Sequence, residues 1–117
     1  MNAQRQMPPT RPAVPAYCSW SGGKDSALAL HHAGRQGAEA RLLVTMLTEG
    51  RERSRSHGLR RELLEAQAAA LGVPIAFAAT TWAGYEEALR AQLAEAARRG
   101  LRTGIFGDIE RHRAWVE

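Results

Sequence analysis

The chain has 117 residues, of which 44% are hydrophobic, so it can form one small domain with a single core. Its formal net charge of +4 favours an anionic ligand but does not by itself establish nucleic-acid binding. The single cysteine, Cys18, excludes an internal disulfide, and the sequence has neither a membrane-spanning apolar run nor a signal peptide. These properties predict a cytoplasmic domain with no membrane partner.

The N-terminal segment differs from the rest of the chain. Residues 1–15 contain four of the five prolines and no apolar periodicity, which predicts a disordered leader. Residues 16–117 then make up the folded domain. Its first strand begins at Ala16, and the run from Ala27 to Leu30 indicates the opening of a helix.

Further strands and helices alternate along the remaining sequence. The patterns predict strands at Leu42–Leu47, Pro74–Ala79 and Thr103–Phe106, and helices at Gly58–Leu71 and Ala83–Arg99. This alternation is typical of parallel βαβ units, so we predict an α/β fold with a doubly wound parallel sheet that ends after its fourth strand. If strands two and three lie on one side of strand one and strand four on the other, ligands bind between strands one and four.

A glycine-rich turn follows the first strand. It reads Ser21-Gly22-Gly23-Lys24-Asp25-Ser26 and contains the only lysine of the chain, whose other fifteen basic residues are arginines. Adjacent glycines let the backbone approach a ligand, and the first amides of a helix are unpaired donors that favour an anion. The turn therefore predicts a phosphate site. The alternative is an ordinary turn in which Ser21 or Asp25 caps the helix and Lys24 is solvated.

Two better-known phosphate motifs do not fit this turn. A Walker loop needs glycine at the place of Cys18 and serine or threonine at the place of Asp25. The dinucleotide fingerprint needs three spaced glycines, whereas Gly22 and Gly23 are adjacent and the next glycine is Gly34. The turn is thus a different kind of phosphate-binding sequence.

The chain has ten glutamates but only two aspartates, Asp25 and Asp108. Each aspartate follows one of the two strands that border the predicted crevice. Short carboxylates suit a magnesium ion that also contacts substrate phosphates, so we expect Asp25 and Asp108 to hold Mg²⁺ together. Simple capping of the next helix is the alternative for each.

An arginine-rich loop follows the second strand and surrounds Ser54, Ser56 and His57. Its basic residues are Arg51, Arg53, Arg55, Arg60 and Arg61. No aromatic residue is interleaved as a stacking platform, so a solvated loop and a phosphate-steering surface are weighed equally. His57 lies at the ligand end of the sheet and is a candidate contact for substrate or nucleotide.

The turn from Ser21 to Ser26 resembles the Ser-Gly-Gly-x-Asp-Ser signature of the PP-loop, or N-type, ATP pyrophosphatases. Other segments extend the likeness: Cys18-Ser19-Trp20, Ser56-His57-Gly58, Phe106-Gly107-Asp108-Ile109 and His112-Arg113-Ala114-Trp115-Val116-Glu117. With these segments, residues 16–117 are similar to the diphthine–ammonia ligase-like ATP-binding family.

The resemblance implies a Rossmann-like, adenine nucleotide alpha hydrolase fold of the HUP type, and cleavage of ATP between its α and β phosphates. It implies that the phosphates are held by Ser21, Gly22, Gly23, Lys24, Asp25 and Ser26. We expect Lys24, Asp25 and Asp108 to be catalytic, with His57 beside the nucleotide and Mg²⁺ sharing the charge. The expected reaction adenylates an amide- or carboxylate-bearing substrate, such as a protein side chain, and then forms an amide with ammonia.

The likeness has two departures. Family members usually continue well beyond this point, and the stretch from Asp108 to His112 is shorter than usual, which affects the register of Arg113 and Glu117. We therefore expect the N-terminal half of a longer fold, or a homo-oligomer that covers the fourth strand. A PP-loop tRNA-modifying enzyme and a non-catalytic nucleotide-binding module stay open as other functions, although nucleic acid is the less favoured partner.

Overall fold

The computed structural model describes residues 12–55 and 57–107, together with the backbone of 115–116. The elements in chain order are β1 (Val14–Ser19), α1 (Lys24–Arg35), β2 (Ala38–Leu47), α2 (Arg61–Leu71), β3 (Ile75–Ala79), α3 (Tyr85–Arg98), β4 (Thr103–Ile105) and β5 (Trp115–Val116). Four parallel strands with flanking helices confirm the predicted α/β, Rossmann-like fold.

The strand order in the sheet is β3-β2-β1-β4-β5. The chain therefore reverses its direction of travel between β1 and β4, which confirms the predicted position of the switch. The sheet does not stop at β4, however, because β5 pairs with it in antiparallel fashion, with Gly104 opposite Val116. Two residues carry no periodicity, so the sequence offered no signal for β5.

The helices cover the two faces of the sheet. One core cluster joins α1 and α2 to the sheet and includes Cys18, Leu43 and Leu64. The other joins α3 to the opposite face and includes Tyr17 and Leu42. Neighbouring residues in β1 and β2 thus serve opposite faces, as expected for strands buried on both sides. No helix within the described residues is long and apolar enough to cross a membrane.

β1 begins two residues earlier than predicted, so Val14 and Pro15 belong to the sheet and not to the leader. Val14 N donates to the Gly37 carbonyl at 2.8 Å. Alternate residues of a strand bond to opposite neighbours, so the missing amide of Pro15 faces the β4 side. Pairing with β4 starts only at Ala16, and the proline therefore removes no bond of the ladder.

α2 begins at Arg61, three residues later than predicted. Gly58 has a φ of +64°, which is incompatible with a right-handed helix. The amide of Leu59 donates to Ser54 Oγ at 3.1 Å, and Arg60 forms an antiparallel bridge with Arg53. The arginine-rich loop is therefore a folded structure that turns back on itself before the helix starts.

Candidate functional site

The glycine-rich turn joins β1 to α1 at the carboxyl edge of the sheet. Gly22 has a φ of +83°, and a Cβ there would lie 2.6 Å from Leu59 Cδ1 and 2.9 Å from Leu64 Cδ2. Both the backbone and the packing therefore require glycine. Gly23 is the N-cap of α1, and a Cβ on it would lie 3.0 Å from His57 Nε2. The ring of His57 thus lies directly beside the glycine pair.

Two serine hydroxyls hold the turn in shape. Ser26 is buried at 4% exposure, and its Oγ accepts a hydrogen bond from the Ser21 amide at 3.0 Å. The two hydroxyl oxygens are 2.7 Å apart, and Ser21 Oγ accepts from the Gly23 amide at 3.2 Å. Ser26 Oγ also donates to the Ser19 carbonyl at 3.4 Å. Because a serine hydroxyl has one hydrogen, Ser21 is then the donor between the two hydroxyls. Both hydroxyls therefore support the loop, and Ser21 also lines the pocket.

The start of α1 offers hydrogen-bond donors and no side-chain cap. Within the described residues, neither Ser21 nor Asp25 accepts a hydrogen bond from the first helical amides that follow the N-cap Gly23, so the capping alternative is wrong. Among the described residues, the amides of Gly22, Lys24 and Asp25 have no acceptor. The side chains of Lys24 and Asp25 are exposed. This combination of unpaired amides and a cation is what a phosphate group needs.

Gln67 of α2, which sequence analysis did not identify, fixes the glycine-rich turn and the preceding Trp20 through two hydrogen bonds. Trp20 Nε1 donates to Gln67 Oε1 at 2.9 Å, and Gln67 Nε2 donates to the Gly22 carbonyl at 3.3 Å. Thr45 Oγ1 donates to the Trp20 carbonyl at 2.6 Å, which fixes the end of β1 against β2. Nothing in the sequence distinguishes Gln67 from any other glutamine in a helix.

The end of β4 lies against the start of α1, as the predicted switch requires. A Cβ on Gly107 would lie 2.7 Å from the carbonyl carbon of Asp25 and 2.9 Å from the Ser26 amide. Asp108 comes next in the chain but lies outside the described residues, as do Ser56, His112, Arg113 and Glu117. The expected pairing of Asp25 with Asp108 stays a prediction.

A pocket of about 220 Å³ opens at this edge of the sheet. Its polar lining comes from Ser21, Asp25, Ser26 and His57, together with Gly107. Its apolar lining comes from β2 and α3, through Val44, Met46, Tyr85 and Leu89. A pocket with few polar groups on one part and an apolar wall on another is typical of a small-molecule site.

Of the two carboxylates predicted to hold Mg²⁺, the described residues include only Asp25. Among the described residues, no three side chains of His, Cys, Asp or Glu group together as a metal site. Asp25 lines the pocket beside the unpaired amides. One or two carboxylates and the substrate phosphates are the usual ligands of Mg²⁺, so Asp25 fits a metal ion that arrives with a nucleotide.

The fold supplies the aromatic neighbours that the arginine-rich loop lacks in sequence. Arg55 Nε donates to the Thr80 carbonyl at 2.8 Å, which ties this loop to the segment between β3 and α3. The Arg55 guanidinium lies 5.1 Å from the ring centroid of Trp82, and the Trp82 and Tyr85 centroids are 5.4 Å apart. Tyr85 also lines the pocket, so this cluster adjoins it.

Residues 16–117 match a family model described as the diphthamide synthase N-terminal domain. No curated protein matches the chain. The match covers the sheet except for Val14 and Pro15 of β1, and it includes the turn from Ser21 to Ser26.

Proposed function

The chain belongs to the diphthamide synthase N-terminal domain family, a PP-loop ATP pyrophosphatase family, and we propose that it uses ATP to activate a substrate carbonyl for amide formation. The family supports an ATP-binding domain of an ATP-utilising enzyme. The observation that carries the proposal is the set of unpaired amides at Gly22, Lys24 and Asp25 beside the exposed Lys24 ammonium.

We assign the phosphates of ATP to the glycine-rich turn. The unpaired amides and the partial positive charge at the start of α1 favour an anion there. Lys24 adds a compact cation with three donors, and Ser21 lines the pocket beside the turn. His57 lies beside Gly23, where its ring can contact the same phosphates.

We assign the nucleoside end of ATP to the apolar part of the pocket. Val44 and Met46 form one side of it and Tyr85 and Leu89 the other. At about 220 Å³ the pocket is smaller than the usual ligand site of roughly 300–1,000 Å³. An ATP molecule would therefore fill it with the base and extend its phosphates over the turn.

The proposed reaction has two steps. A carboxylate oxygen of the substrate, such as one on a protein side chain, attacks the α-phosphorus, and the bond to the β-phosphate oxygen breaks to release pyrophosphate. Ammonia then attacks the activated carbon, and AMP leaves. Lys24 and the loop amides stabilise the charge that builds on the leaving phosphates. The need for ATP favours the cytoplasm as the compartment.

Mg²⁺ would neutralise part of the phosphate charge when bound. Asp25 would hold it from the loop, and Asp108 is the second ligand that the sequence predicts. With Lys24, these two carboxylates are the proposed catalytic residues. They position and neutralise the phosphates and form no covalent bond to the substrate.

The test is the melting temperature of the chain with and without ATP and Mg²⁺. A ligand at about 100 times its Kd adds about 2.7 kcal/mol, which should raise the melting temperature by several degrees. Lys24→Ala should remove most of this shift without changing the ligand-free value, since Lys24 is exposed. Arg35→Ala, at the far end of α1, is the matched control and should keep the shift.

An unchanged ATP shift in Lys24→Ala would contradict the phosphate assignment. The products of ATP turnover test the reaction separately. AMP and pyrophosphate support the proposed chemistry, whereas ADP and phosphate contradict it. Binding of ATP without any turnover in the presence of ammonia and candidate carboxylate substrates would indicate a nucleotide-binding module instead.

A further inference from the structure

We propose that Arg55, Trp82 and Tyr85 form a stacking platform for a base of a single-stranded nucleic acid, with the phosphates of that strand held by the arginine-rich loop. This site shares Tyr85 with the proposed ATP site, whereas Arg55 and Trp82 lie outside the ATP pocket. Binding of the nucleic acid does not depend on the proposed ATP site, because it can be measured in the absence of ATP.

The first observation is the exposure of Trp82. Trp82 is 65% exposed, which is the highest exposed fraction of any large hydrophobic residue in the described part of the chain. Tryptophan is usually well buried, because its large ring gains much from leaving water. Trp82 lies in the short segment between β3 and α3, at the carboxyl edge of the sheet, where ligands of this fold class bind.

The second observation is that Trp82 is held in place although it is exposed. The Arg55 guanidinium lies 5.1 Å from its ring centroid, and Arg55 is itself anchored through Nε to the Thr80 carbonyl at 2.8 Å. The Tyr85 ring lies 5.4 Å from Trp82 at an interplanar angle of 31°. A pre-positioned ring loses little freedom when a ligand stacks on it, so the arrangement favours binding of a flat group.

The third observation is the charge around the platform. On the helices and β2, five arginines pair with glutamates: Arg41, Arg61, Arg90, Arg98 and Arg99. Within the described part of the chain, four loop arginines have no such ion pair: Arg51, Arg53, Arg55 and Arg60. The four arginines outnumber the two glutamates of the same loop, Glu49 and Glu52, so the loop keeps a net positive charge, which complements a polyanion.

The combination of aromatic rings and arginines favours a nucleic acid over other polyanions as the ligand. The carboxylates of an acidic peptide could pair with the arginines, but such a peptide has no planar group that stacks on the exposed aromatic ring. A single-stranded nucleic acid offers both, since its bases stack on aromatic and guanidinium planes while its phosphates contact arginine. The bridge between Arg53 and Arg60 places these two residues side by side on adjoining segments of the folded loop. Both can therefore contact phosphates of the same nucleic-acid strand.

The test is binding of a fluorescein-labelled, twelve-nucleotide single-stranded RNA or DNA to the full chain, followed by fluorescence anisotropy. Trp82→Ala should weaken binding about fivefold or more, which is the effect of losing one stacked base. Trp82→Phe keeps an aromatic ring and should retain most of the affinity. Melting temperatures and ATP affinity should be unchanged in Trp82→Ala, because the residue is exposed and outside the proposed phosphate site.

The arginines are tested by salt. The double variant Arg53→Gln, Arg60→Gln should lower the slope of log Kd against log salt concentration by about 1.4, which is the effect of losing two phosphate contacts. Arg35→Gln removes the same kind of charge at the far end of α1 and should leave the slope nearly unchanged. A synthetic polyglutamate of equal charge is the competitor that represents an acidic peptide.

The proposal would be overturned by the absence of saturable oligonucleotide binding at low salt or by equal binding of wild type and Trp82→Ala. Polyglutamate binding that matches the oligonucleotide and also depends on Trp82 would overturn it too. A loss of ATP affinity in Trp82→Ala, equal to the loss of oligonucleotide affinity, would assign the platform to the base of ATP and would equally overturn it. Loss of oligonucleotide binding alone supports the proposal whether or not the ATP assignment holds.

Discussion

The side-chain amide of Gln67 donates to the carbonyl of Gly22 at 3.3 Å, although 45 residues separate the two in sequence. The same amide accepts from the Trp20 indole at 2.9 Å. One helix residue therefore fixes both the end of β1 and the first glycine of the turn. The shape of the proposed phosphate site depends on α2 as much as on the signature sequence itself.

Gln67→Met keeps a helix-forming side chain of similar length but removes both hydrogen bonds. We expect ATP affinity to fall about tenfold, because the Gly22 peptide and its neighbours lose their fixed orientation. Isothermal titration calorimetry with Mg²⁺ and ATP measures this change. Gln92→Met, the same substitution on α3, is the control and should leave ATP affinity unchanged. Equal affinity in wild type and Gln67→Met would show that the amide does not position the loop.

Gly22→Ala tests whether the turn tolerates any side chain. The added Cβ would combine a left-handed backbone, at φ +83°, with close contacts to Leu59 and Leu64. We expect a loss of about 2–4 kcal/mol in the free energy of unfolding, from backbone strain and overpacking together. Urea denaturation gives this value.

Gly72→Ala separates the two causes in that prediction. Gly72 ends α2 at φ +72°, but a Cβ there meets nothing within 4 Å. Its substitution should therefore cost only the backbone strain, about 1 kcal/mol. If the two variants lose equal stability, the contacts with Leu59 and Leu64 are not what excludes a side chain at Gly22.

The two serines of the turn should respond differently to loss of their hydroxyls. Ser26→Ala leaves the partly buried Ser21 amide without its acceptor and removes a buried hydroxyl, so we expect a stability loss of about 1–2 kcal/mol even without ligand. Ser21→Ala should weaken ATP binding more than it lowers the melting temperature, because Ser21 lines the pocket and is less buried. Thermal denaturation and ATP titration measure the two effects. If Ser21→Ala mainly lowered stability and Ser26→Ala mainly weakened ATP binding, the roles assigned to the two serines would be wrong.

Cys18 should be chemically inert in the folded protein. The side chain is fully buried, and burial raises the pKa of its thiol to about 12, from an ordinary value near 9. The reactive thiolate is therefore scarce at neutral pH, and iodoacetamide should label Cys18 quickly only in denaturant. Rapid labelling of the native chain at pH 7.5 would contradict this burial.

The same pKa shift predicts how stability depends on pH. The unfolded chain loses the thiol proton near pH 9, whereas the folded chain keeps it until about pH 12. Folding is thus favoured fully below pH 9 and progressively less above it, by about 1 kcal/mol per pH unit. The stability of wild type relative to Cys18→Ala should fall over this range. A constant difference between pH 9 and pH 11 would argue against the shift.

The four parallel strands could be predicted from sequence because each of them, unlike β5, carries its own signal. Continuous apolar runs mark β2 and β3, and the glycines after α2 and α3 mark where those helices end. The rule that parallel crossovers are right-handed then leaves few arrangements. The start of α2 was misplaced because Gly58 and the bridge to Arg60 interrupt a pattern that still has helical spacing.

The turn from Ser21 to Ser26 could be recognised because its residues are adjacent in sequence. Gln67 and Trp82 could not, because each acquires its role only through packing against a distant segment. A lone glutamine on α2 and a lone tryptophan before α3 have no spacing from which a role could be inferred. The roles assigned to Asp108 and His57 stay predictions until a ligand complex tests them.

The support of Gly22 by Leu59, Leu64 and Gln67 has a consequence for how the protein folds. A peptide of residues 12–47 would contain every member of the glycine-rich turn and none of these three supports. Contacts between segments so far apart in the chain carry an entropic cost of loop closure and slow the folding of a domain. The turn should therefore gain its native shape only after α2 docks, and amide hydrogen exchange should show it protected later than α1 during refolding.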